Sequence, residues 1–111
     1  ENQHTTWVGK DVLEVDLQSA KEMTGISYLP DQARWANGIV VKYMIEISLD
    51  GIRWEEAARG EFANIQNNPV EQQVIFRQTH KGRYIRFHAL STVDGQKSMG
   101  VAELDILFSK N

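Results

Sequence analysis

Between residues 41 and 54, in the stretch VKYMIEISLDGIRW, apolar and polar positions alternate. Val41, Tyr43, Ile45 and Ile47 share one face, and Lys42, Glu46 and Ser48 share the other, with Met44 the apolar exception. A period of two held this long predicts a strand with one face on a core and the other in water. Asp50-Gly51 then supplies a turn, because glycine accepts positive φ and aspartate bonds its own backbone. Trp54 stands where a returning strand begins. Leu13, Val15 and Leu17 alternate with Glu14 and Asp16 in the same way, and residues 18–21 read as a turn. Residues 22–29 (EMTGISYL) predict the next strand, with Met23 and Tyr28 in the core, Gly25 at a bulge and Pro30 as its end. Further on, residues 71–77 form a strand with Val74 and Phe76 inward. His80-Lys81-Gly82 reads as a tight connection, and residues 83–90 (RYIRFHAL) pair back. Residues 101–108 (VAELDILF) close the chain. Residues 1–10, 31–38, 64–69 and 91–100 are polar, small-residue loops. About seven short strands at regular spacing, with no helical period, predict an all-β fold: an antiparallel β-sandwich or jelly roll.

Composition narrows the function. At 111 residues the chain fits one domain, residues 1–111, and the abrupt opening ENQHTTW suggests a domain excised from a longer protein. A net charge of −3 argues against a nucleic-acid partner and gives no reason to expect an anionic membrane. No apolar run reaches the length of a membrane span. The absence of cysteine excludes disulfides and thiolate metal sites. His4, His80 and His88 have no catalytic or metal spacing, and no serine sits in a Gly-x-Ser-x-Gly turn. Glycoside hydrolysis would need two carboxylates across a cleft. Glu14 with Asp16, and Glu103 with Asp105, instead share outer strand faces, so no enzyme is expected. Arg77, Lys81, Arg83 and Arg86 are interleaved with strand positions and read as a solvated face or as ion pairs.

Six pieces in a fixed order carry a family likeness: Thr5-Thr6-Trp7, then residues 13–17, 26–30, 37–54, 83–87 and 102–106. Together they resemble the discoidin superfamily, which includes coagulation-factor type C domains and family-32 carbohydrate-binding modules. The resemblance implies an eight-stranded, galactose-binding-domain-like jelly roll of two packed sheets. A segment that usually precedes T-x-W adds a strand beside the C-terminal one, so this chain is expected to lack that first strand. The resemblance also implies that Trp7 and Trp54 are structural core residues.

For a metal, the resemblance implies structural calcium held by the Asn2 and Ala102 carbonyls, the Thr5 carbonyl and hydroxyl, and the Glu103 carboxylate. An all-oxygen set suits a hard cation, and a carboxylate beside Val101 and Leu104 gains from a partner. Otherwise Glu103 is exposed or paired with Arg83 or Arg86. For a sugar, galactose-type relatives place a histidine where Val8 stands and an arginine where Asp31 stands, so only Asn37 of that set is kept. Arg34 and Trp35 beside it offer a second solution, since an indole covers the C–H face of a pyranose while Arg and Asn bond its hydroxyls. Trp35 otherwise folds back as a lid on the sandwich end. Asp31, Gln32, Lys97 and Met99 are candidate neighbours. The implied function is a carbohydrate-binding module in cis with a glycoside hydrolase. The expected setting is secreted, periplasmic or cell-surface, and bacterial, because animal relatives usually carry a disulfide. The competing expectation is a structural or protein-interaction module packed against its parent enzyme.

Overall fold

The computed structural model describes residues 4–9, 11–30, 40–62, 71–92 and 101–109. They form six strands: β1 (His4–Trp7), β2 (Val12–Pro30), β3 (Val40–Ser48), β4 (Glu55–Glu61), β5 (Gln72–Thr92) and β6 (Val101–Phe108). All pairings are antiparallel, in the order β1-β2-β5-β3-β4, with β6 joined to β2. The first strand falls in a stretch whose polar sequence predicted a loop. Pairing of Thr5 with Val15 and Trp7 with Leu13 decides that segment, and local polarity does not.

β2 and β5 are 19 and 21 residues long because each serves two layers. Val12 to Asp16 of β2 pair with His88 to Tyr84 of β5, alongside β1, β3 and β4. Gly25 to Tyr28 pair with Ile75 to Gln72, alongside β6. Between these stretches β2 bends through a register shift from Asp16 to Lys21. There Gln18 adopts φ 73°, and its N–H donates to Asp16 Oδ1 at 2.8 Å. Among the described residues, five strand segments thus face three, eight segments on six continuous strands, where a sandwich short of one strand was expected.

This arrangement corrects two turns. Residues 18–21 are a bend inside one strand, and His80-Lys81-Gly82 lies within β5, so residues 83–90 do not pair back on 71–77. Gly82 marks the crossing between layers. A Cβ there would lie 2.3 Å from Ile47 Cγ2 and 3.0 Å from the Ser48 carbonyl oxygen. The glycine therefore serves close approach rather than reversal.

Alternation places the core as expected. Leu13, Val15, Leu17, Ile45, Ile47, Ile85 and Phe87 point in from the larger layer, and Met23, Ile26, Tyr28, Val74, Phe76 and Ile106 from the smaller. Gly25 sits at a register shift, as its place in the strand predicts. Trp7 departs from expectation: at 48% exposure it is not a core residue. It lies on β1, the last strand of the larger layer's order, where β2 is its only strand neighbour among the described residues. Trp54 is half-buried, with the Arg86 guanidinium 4.2 Å from its ring centre and Tyr84 at 6.5 Å.

Opposite charges alternate across the outer face of the larger layer. Arg86 pairs with Glu14 at 2.7 Å, Arg83 grips Asp16 through two bonds of 2.8 and 3.0 Å, and His88 meets Glu46 at 2.7 Å. The bond to Asp16 raises the Arg83 pKa above its ordinary value. Two of the four clustered cations, Arg83 and Arg86, are therefore in ion pairs, with Asp16 and Glu14.

Candidate functional site at the loop end of the sandwich

The strand ends show which loops gather together. Val40 pairs with Thr92, Lys42 with Glu61, Tyr28 with Gln72, and Pro30 with Val101. The described strand ends that flank residues 31–39, 63–70 and 93–100 therefore lie together at one end of the sandwich. The short turn between β1 and β2 joins them there, closed by Val8 N–H donating to the Val12 carbonyl at 2.8 Å. Asp11 is tied to the same end, its carbonyl accepting from Ala89 N–H at 2.8 Å.

At this end of the sandwich lies an aromatic floor. Phe62 stacks on Tyr28 at 5.5 Å and on Tyr43 at 4.6 Å, and Phe87 packs against Tyr28 at 5.1 Å. Such pairs add to the burial of their rings. Phe62 is fixed through its backbone, its N–H donating to the Val41 carbonyl at 2.8 Å. Burial also pushes the Tyr43 hydroxyl pKa up. The Tyr28 hydroxyl accepts a bond from the Val40 N–H at 3.1 Å. That bond ties the end of β2 to the start of β3, the two strands that carry the 31–39 loop. A stiff floor below surface loops is the arrangement in which loop residues become binding residues.

Arg34, Trp35 and Asn37, with their candidate neighbours Asp31, Gln32, Lys97 and Met99, lie outside the described residues, as does Asn2. What is described is their scaffold: Pro30 and Val40 at the two ends of the first loop, Thr92 and Val101 at the ends of the last. Sequence reading passed over the clamp between Tyr28 and Val40. Its one trace is an aromatic placed two residues before the proline that ends β2.

Of the expected calcium ligands, Thr5 is exposed on β1 opposite Val15, and Glu103 lies in β6 opposite Leu29. Ladder pairing does not itself join them. The register of β6 shifts between these pairs, from Glu103 with Leu29 to Val101 with Pro30. Ala102 is thus the extra residue of a bulge, with its backbone released from regular pairing. Among the described residues no group of three or more His, Cys, Asp or Glu side chains could hold a metal, and the side chain of Glu103 lies outside them.

The sequence profile of the F5/8 type C domain matches residues 1–104. The chain belongs to that family. A galactose oxidase of Gibberella zeae is similar, 26% identical over 94 residues, which are 83% of this chain and 13% of the oxidase. Among solved structures, a glycoside hydrolase 29 family member from an unknown rumen bacterium is similar over 97% of this chain. The match has a TM-score of 0.87 and 25% identity, and covers 19% of the hydrolase. CBM32-3, a family-32 carbohydrate-binding module from a family 31 glycoside hydrolase of Clostridium perfringens, is similar over 96% of this chain and 74% of its own. Its TM-score is 0.76 and its identity 28%. This F5/8 type C domain therefore spans only a small part of the oxidase and of the rumen hydrolase.

Proposed function

We propose that this F5/8 type C domain is a non-catalytic carbohydrate-binding module, held in one polypeptide with a glycoside hydrolase that works outside the bacterial cytoplasm. The observation that carries the reading is the likeness to CBM32-3, at 28% identity over 96% of the chain. The loop end with its fixed aromatic floor is the surface the proposal uses. Trp35 stacks on a pyranose face, while Arg34 and Asn37 bond its hydroxyls. Val8 and Asp31 replace the histidine and arginine of galactose-type sites, so selectivity rests on the Arg34-Trp35-Asn37 group. Binding is passive and weak, near the millimolar level or about −4 kcal/mol. Tethering to a catalytic domain turns that weak hold into a raised local concentration of substrate.

Calcium belongs to the same proposal as a structural ion. Asn2, Thr5, Ala102 and Glu103 would supply carbonyl, hydroxyl and carboxylate oxygens to it, and it would fix the segment before β1 against β6. The test is a glycan-array screen of the domain beside Trp35→Ala, with and without calcium. Binding to one glycan class that vanishes in the variant is the expected result. Silence from a folded wild type would favour a module that packs against its parent enzyme.

A further inference from the structure

The end of the sandwich opposite the loops carries a second concave surface. Ile47, Ser48, Leu49, Asp50, Arg53, Trp54, Glu55 and Lys81 line a pocket of about 340 Å³. It is built by the turn between β3 and β4, set against Lys81 of β5. That turn is held before any ligand arrives. Asp50 Oδ1 accepts from the Ile52 and Arg53 N–H groups at 2.8 and 2.9 Å, and Ser48 Oγ from the Gly51 N–H at 2.8 Å. Gly51 takes the positive φ, 79°, that closes the turn. A wall ordered in advance loses little freedom on binding.

Four charges and one indole line this pocket, and their engagements differ. The Asp50 carboxylate is occupied by backbone N–H groups, and Glu55 stands 3.7 Å from His80 Nδ1. The side chains of Arg53 and Lys81 have no partner among the described residues. The lining thus carries two carboxylates and two cations, and the cations are the charged side chains left without a hydrogen-bonding partner among the described residues. Trp54 beside these cations is braced by Arg86, which fixes the indole in place. An apolar ring face next to two uncommitted cations matches a pyranose that bears a carboxylate.

We propose that this pocket is a second glycan subsite, specific for acidic sugars of the uronic acid class. The ring of the sugar covers the indole, and its carboxylate lies between Arg53 and Lys81. Glu55 accepts from its hydroxyls. The subsite is separate from the loop end and does not depend on Trp35.

The test is an NMR titration of the ¹⁵N-labelled domain with sodium glucuronate and, separately, with glucose. Three indole N–H signals arise from Trp7, Trp35 and Trp54, and Trp54→Phe assigns the relevant one by its disappearance. Glucuronate is expected to move the Trp54 signal in the wild type and equally in Trp35→Ala. In the double variant Arg53→Gln, Lys81→Gln the affinity should fall about fivefold or more, as expected for loss of exposed charge pairs. Salt at about 0.5 M should weaken binding in the wild type for the same reason. Because both substituted side chains are solvent-facing, the double variant should keep its fold, which its amide spectrum checks directly. An unmoved Trp54 signal, an equal response to glucose, or a double variant with wild-type affinity would overturn the proposal. Failure of the loop site would appear separately, as a glycan-array response indifferent to Trp35.

Discussion

Asp50 is the residue on which the most regular part of the chain turns. Its carboxylate pKa is lowered, first by the bond from the Arg53 N–H and then by that from Ile52, with a smaller contribution from Ser48. A depressed folded-state pKa means stability that is present above the ordinary carboxylate range and lost as pH falls through the lower folded value. Thermal melts should therefore find Asp50→Asn less stable than wild type at neutral pH, with the gap closing in acid. A gap independent of pH would contradict that role. Gly82 and Gly25 act by the space they leave. A Cβ on Gly82 meets Ile47, and one on Gly25 would stand 2.2 Å from the Val74 carbonyl oxygen. Gly82→Ala should cost about 1–3 kcal/mol in chemical denaturation, and Gly25→Ala more, because backbone cannot move aside as a side chain can. The Asp50-Gly51 turn was readable because its chemistry is local. The exposure of Trp7 was not, because it depends on what lies beside an edge strand.

At the scale of the element, alternation located every core-facing position of the Leu13–Leu17 run and placed Ile45 and Ile47 of β3 inward. It misread continuity. Polar residues and a glycine at 80–82 look like a reversal, yet β5 runs straight through them to pair with β2 in both layers. Whether such a stretch turns or crosses is settled by partners far away in sequence, which local composition does not encode. The proposed loop residues Arg34, Trp35 and Asn37 lie outside the described residues, and what the structure adds is their scaffold. The bond from Val40 N–H to the Tyr28 hydroxyl, which joins the two strands flanking them, is a contact between strand ends that alternation does not encode. Tyr28→Phe leaves that buried N–H without its partner. It should lose about 1–3 kcal/mol of stability and weaken glycan binding alongside, measured by denaturation and by titration on one preparation. Stability lost with binding unchanged would separate the clamp from the site.

The whole molecule is a two-layer sandwich whose two ends differ. One end is floored by stacked aromatics, and the other is drawn tight by the bend in β2, the crossing of β5 at Gly82 and the Asp50 turn. The proposed calcium would be held by Asn2, Thr5, Ala102 and Glu103. Chelation should therefore lower the melting temperature of the wild type, and Glu103→Gln should melt low with or without chelator. A wild type indifferent to chelation would remove the ion from the account. The central claim concerns the loop end, that a rigid scaffold presents Arg34, Trp35 and Asn37 to a sugar. The measurement that tests it most directly is glycan-array binding of wild type against Trp35→Ala, with both proteins shown to be folded. One glycan class bound by the wild type and lost in the variant is the predicted result. Equal binding by the two, or no binding by either, would contradict it.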